Sequence, residues 1–264
     1  MKDMAVRVEV KAQHDPVMKE CRELAAQRVL QEFASELPGL KLLAFFDDED
    51  PHDLKRDLGL ANRGFDGPIK AEKGWPLRMA EIIFEFVDEV PPWRTKRVFD
   101  HGIYLYGSTC TDETALTMTF AHELQHFVQY GFKQKLWAEG RLIRRSKGVI
   151  DVLGLRWQDI PHEREARIVA KRVGMRICGA DAVNQYIHRR IRENITAEDV
   201  EDWRFSQDLD PSIPYDLPTE TKRIFQRLKP YRQALEDTLQ QMKDSDFRDE
   251  YADINLSPYF DAAS

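Results

Sequence analysis

The sequence predicts an α+β fold, a small mixed sheet followed by helices. Three observations predict it. Short apolar runs bounded by turn residues crowd the first 106 positions, and apolar residues then recur at helical spacing almost to the C-terminus. The chain of 264 residues, 42% hydrophobic and 32% charged, is also long enough for a sizeable core.

Each element follows from its pattern. Residues 5–10 alternate apolar and charged side chains, as a half-buried strand does. Asp15-Pro16 opens a helix to about Leu37, with Val17, Cys21, Leu24, Val29 and Phe33 on one face, and Pro38-Gly39 stops it. Residues 40–46 read as a buried strand. Residues 47–74 read as loop, with a turn of helix at 51–58. Strands are predicted at 81–87 and 103–106. Thr111-Asp112 offers N-caps for a helix ending near Tyr130-Gly131. Residues 132–160 are basic and carry no clear period. Pro161 suits the first turn of a helix closed by Gly179. Helices at 181–194 and 197–205 precede a Pro- and Asp-rich linker or wrapping segment at 206–219. One long amphipathic helix is predicted at 220–242, then an acidic tail. This divides the chain into a catalytic domain, 1–205, and a C-terminal extension, 206–264, packing on it or extending from it.

Composition excludes several classes. No apolar run reaches the roughly 18 residues of a membrane span, and the N-terminus shows no apolar signal core. Cys21, Cys110 and Cys178 are odd in number and far apart, which reads as reduced thiols rather than a disulfide framework. The expectation is a cytoplasmic protein with no membrane partner. Net charge is −7 over 1–132, +9 over 133–192 and −9 over 193–264. The basic block either pairs with the acidic flanks or attracts an anionic partner such as nucleic acid or an acidic peptide. Its members include Arg141, Arg144, Arg145, Lys147, Arg164, Lys171 and Arg172. No nucleic-acid-binding motif accompanies them.

The stretch with chemistry is Thr119-Phe-Ala-His122-Glu123-Leu-Gln-His126-Phe-Val-Gln129. Two histidines four apart project from one helix face and can share a tetrahedral zinc ion, expected at one per chain. Glu123, about 100° round the helix from His122, suits a general base toward a zinc-activated water. Thr119 and Gln129 continue the polar stripe and can support the ligands from behind. The third ligand belongs to the helix that starts Pro161-His162-Glu163-Arg164-Glu165-Ala166. Glu163 lies about 60° from that helix's apolar centre and Glu165 about 100°. Glu163 is the leading choice, with His162 and Glu165 as alternatives. Cys110, just before the zinc helix, reads as an inert thiol or as a latency group. His14, His52 and His101 read as surface or internally satisfied residues. Trp93, Trp137 and Trp157 read as core or groove wall.

His122-Glu-Leu-Gln-His126 followed by Glu163-x-x-Ala166 resembles the gluzincin zinc metallopeptidases, especially small bacterial and phage zincins of the minigluzincin type. The resemblance covers about residues 80–180. It implies a zincin-like fold and peptide-bond hydrolysis of a peptide or protein substrate, as an endopeptidase. It also implies a substrate strand paired with an edge at 103–106. The sequence departs from the family four residues after Glu163, where Arg167 stands in place of an Asp or Asn that orients a ligand histidine. Tyr186, His188 and Tyr215 are the candidates for the family's oxyanion-steadying group. A zincin-fold binding or sensor protein without activity, and a protease working near nucleic acid through 133–192, are the alternatives.

Overall fold

The computed structural model describes residues 5–11, 16–37, 41–47, 65–68, 101–106, 112–193, 197–245, 251 and 254–260. The predicted strand at 81–87, the helical turn at 51–58, His14, His52, Trp93 and Cys110 lie outside these residues.

The α+β expectation is corrected. Of the residues whose side chains are described, 82% are helical and 1% lie in strands, so the body is a helical assembly. Four short segments, β1 (Ala5–Lys11), β2 (Lys41–Asp47), β3 (Phe65–Pro68) and β4 (His101–Tyr106), pair through their backbones in the order β1-β2-β4-β3. Among described side chains, Ile103 and Leu105 are what they give to the core. The physical reason lies in burial: the remaining core side chains come from helices and their connecting turns. β4 is also no free edge. It pairs in parallel with β2 on one side and antiparallel with β3 on the other.

The described helices are α1 (Pro16–Phe33), α2 (Glu113–Phe132), α3 (Gln134–Arg145), α4 (Lys147–Val152), α5 (Pro161–Ile177), α6 (Ala180–Glu193), α7 (Ala197–Asp208), α8 (Leu217–Leu228), α9 (Arg232–Ser245) and α10 (Ser257–Phe260). Asp112 caps α2 by accepting from the Ala115 amide at 2.9 Å. The helix runs past Gly131 and turns at Lys133 straight into α3. The unpatterned basic stretch resolves as α3, α4 and one 3-10 turn, Trp157–Asp159. Pro161 opens α5, and Gly179 at φ +92° ends it, a left-handed conformation glycine adopts without strain. The long helix expected at 220–242 is broken by a 3-10 turn at Lys229–Tyr231, because Pro230 has no N–H with which to continue the ladder.

Among the described side chains, three core clusters hold these elements. Phe33 and Val29 of α1 meet Leu116, Phe120, Leu124 and Phe127 of α2 and Val173 of α5. A second core joins α3 and α4 to α8, α9 and the C-terminal Tyr251, Ile254, Leu256 and Phe260. In a third, Ala115 and Met118 of α2 pack on Val183, Tyr186, Ile187 and Trp203. α2 is therefore enclosed on most of its surface. Its polar stripe must find partners on α5, which packs directly against it. That packing is tight. A Cβ at Gly174 would stand 2.8 Å from Met118 Cγ.

Candidate metal centre

Helical spacing puts His122 and His126 one turn apart on α2, with their Nε2 atoms 3.1 Å apart. Glu163, in the first turn of α5, aims Oε2 between them, 3.6 Å from His122 Nε2 and 3.7 Å from His126 Nε2. A tetrahedral ion with bonds of about 2.0–2.1 Å separates its ligand atoms by about 3.4 Å. Two imidazoles and one carboxylate at this spacing fit zinc, and among the described residues they form the one His/Cys/Asp/Glu group compact enough to hold a metal. Glu123 sits next to His122 on the buried helix.

The electrostatics suit metal binding. Burial lowers the His122 imidazole to about 4 against the opposing pull of Glu163, so it is neutral near pH 7, as a ligand must be. Burial pushes the Glu163 carboxyl up. The imidazoles of His126, His122 and His162 outweigh that and hold it well below the usual carboxylate range.

The supporting residues come from both helices. Gln129, fully buried one turn beyond His126, presents Oε1 to His126 Nδ1 at 2.8 Å. Its amide nitrogen donates to the His162 carbonyl and to Glu165 Oε2, each at 2.8 Å. Gln125 Nε2 also donates to Glu165 Oε2, at 3.2 Å, and Lys133 Nζ donates to Oε1 at 2.7 Å. Glu165 thus stands behind the ligands, at the wall of an open cavity of about 560 Å³ that Gln125 and Lys133 also line.

His162 lies under the centre, fully buried, its ring 5.3 Å from that of Trp137 and 6.0 Å from that of His126. Its Nε2 approaches Glu163 Oε1 at 3.4 Å, while neither ring nitrogen makes a well-aligned hydrogen bond. Burial lowers its pKa despite Glu163. At the rim, the Arg144 guanidinium lies 3.6 Å over the Trp157 ring and 3.9 Å from Glu163 Oε1.

The structure therefore brings His122, His126 and Glu163 together, with Gln129 behind them. Glu165 and His162, the alternative ligands, touch the Gln129 amide and Glu163 instead. Thr119 is half-buried. Tyr186 stacks edge-on against Trp203, 5.3 Å away, and exposed His188 bonds Gln207 at 2.9 Å beside a separate cavity of about 820 Å³. Half-buried Tyr215 has its phenol pKa raised by burial and then by Glu220 and Glu165. Arg167, at the family's Asp or Asn position, pairs with Asp202 at 2.8 Å. Gln125, Lys133 and Gly140 escaped the sequence reading, and Arg144 enters it only as a member of the basic block. A polar residue every fourth position, 125, 129 and 133, is the signal that points to the first two.

Much of the basic block works internally. Lys171 Nζ donates to the carbonyls of Ser206, Gln207 and Leu209 at 2.7–3.0 Å, and Arg172 donates to that of Pro211. These contacts hold the Pro-rich segment against α5.

Fold and donor set together define a helical chain with a candidate two-histidine, one-carboxylate centre. Comparison with known protein families, with curated proteins and with solved structures gives no match in any of the three. Among the described residues, no helix is long and apolar enough to cross a membrane.

Proposed function

We propose that this chain is a zinc-dependent peptidase of gluzincin type that hydrolyses internal peptide bonds, with His122, His126 and Glu163 as the metal ligands. The observation that carries this reading is the convergence of the two Nε2 atoms and Glu163 Oε2 within 3.1–3.7 Å, with Glu123 next to the first ligand. The resemblance of His122-Glu-Leu-Gln-His126 and Glu163-x-x-Ala166 to that superfamily supports it. Zinc held there supplies Lewis acidity, which acidifies water and polarises a carbonyl. Glu123 takes the proton of the attacking water and returns it to the departing amine nitrogen. Glu163 and the two imidazoles hold the ligand geometry, and Gln129 supports His126 from behind. The free thiols of Cys21 and Cys178 support a reducing compartment, the cytoplasm.

The test is metal content and cleavage together. The wild-type protein is expected to hold about one zinc per chain and to cut a denatured protein substrate. Glu123→Gln is expected to keep the zinc and to lose cleavage by at least a hundredfold. A Glu123→Gln variant as active as wild type removes the mechanism, and a wild-type chain that binds no zinc removes the site.

A further inference from the structure

A histidine ligand must present a bare nitrogen, and the amide of Gln129 is placed to decide which one. Its nitrogen faces two acceptors, the His162 carbonyl and Glu165 Oε2, both at 2.8 Å. Both act as acceptors: a backbone carbonyl only accepts, and Glu165 also receives Lys133 Nζ at 2.7 Å and Gln125 Nε2 at 3.2 Å. The amide orientation follows, and Oε1 is the atom turned to His126 Nδ1 at 2.8 Å. An amide oxygen also only accepts, so Nδ1 carries the proton and Nε2 keeps its lone pair. That lone pair is on the nitrogen facing His122 and Glu163.

We infer that Glu165 is a positioning residue, acting through Gln129 to select the Nδ1–H tautomer of His126 and so to prepare it as a ligand. The charge that orients this ligand comes from position 165, two residues after Glu163 and on the same helical turn, because position 167 holds an arginine already paired with Asp202. Lys133 and Gln125 hold the Glu165 carboxylate from its other side. This arrangement deepens the metal-site reading and rests on it for its consequence. The tautomer itself exists without metal.

Nitrogen-15 NMR of the ring nitrogens, on metal-free protein near pH 7.5, tests it, followed by zinc titration against a competing chelator. Wild-type His126 is expected with Nδ1 protonated and Nε2 bare. Gln129→Leu and Glu165→Gln are expected to shift His126 toward the Nε2–H form. They are expected to weaken zinc binding by 10- to 100-fold, with circular dichroism unchanged. The double variant Gln129→Glu with Glu165→Gln restores an acceptor facing Nδ1. It is expected to recover the wild-type tautomer and part of the affinity, which a merely structural role for Glu165 does not predict. Wild-type His126 in the Nε2–H form overturns the inference, as does a Glu165→Gln variant with unchanged tautomer and affinity. Wild-type protein with the expected tautomer but no zinc binding leaves the inference standing and removes the metal-site reading instead.

Discussion

Gly140 of α3 lies against the ring of His162: a Cβ added there would stand 2.1 Å from Nδ1. Position 140 is thus part of the centre although it carries no side chain. The imidazole fills the space that any other residue would occupy, and Nε2 is thereby held beside Glu163 Oε1.

Gly140→Ala is expected to push His162 out of place. Overpacking at such a site costs about 1–3 kcal/mol. Urea unfolding of the metal-free protein reads that cost. Zinc affinity is expected to fall as well, since the displaced ring presses on Glu163. Gly148→Ala, on the open face of α4, is the control, because nothing lies within 4 Å of a Cβ there. It is expected to leave zinc affinity unchanged and to keep or raise stability, by up to about 1 kcal/mol, because alanine favours helix over glycine.

Acid is expected to destabilise the metal-free protein. The folded-state pKa of His122, about 4, lies below its ordinary 6.5. Between those values the unfolded chain binds the proton and the folded chain does not, so stability falls as pH drops from 6.5 toward 4. Glu163, held below its ordinary value, acts in the same direction at lower pH: it stabilises above 4.5 and that contribution is lost on acidification. Urea midpoints at pH 7, 6 and 5 are expected to decline in that order, with a shallower decline in His122→Gln. A flat profile in the wild type contradicts the burial of these groups.

Lys171→Met is expected to destabilise the fold by about 1.5–3 kcal/mol, since three backbone carbonyls lose a charged donor. The Pro-rich segment held by Lys171 is expected to become sensitive to limited proteolysis near Ser206–Pro211, while zinc stoichiometry stays at the wild-type value. A salt-dependent loss of nucleic-acid binding without loss of stability would instead assign Lys171 to a surface role.

Local patterns were legible where a single helix determines the geometry. The four-residue spacing of His122 and His126, the Asp112 cap, Pro161 at the start of α5 and Gly179 at its end all read directly from the sequence. The sheet expectation misled because apolar runs before residue 106 signal strand conformation but say nothing about where most side chains are buried. Residues 132–160 were unreadable because α3 and α4 bury their apolar side chains in a core shared with the C-terminal residues, over a hundred positions away.

By itself, the sequence determined the helix that carries two imidazoles on one face and the carboxylate beside them, because helical periodicity is a local property. The helical wheel favoured Glu163 but left Glu165 open, and only the tertiary structure gave each of them its partners on α2. Glu163 and Glu165 are two residues apart and both buried, yet one meets the histidines and the other the Gln129 amide. Only the packing of α5 on α2 assigns those partners, because burial forces each carboxylate to take whichever donors the opposing helix presents.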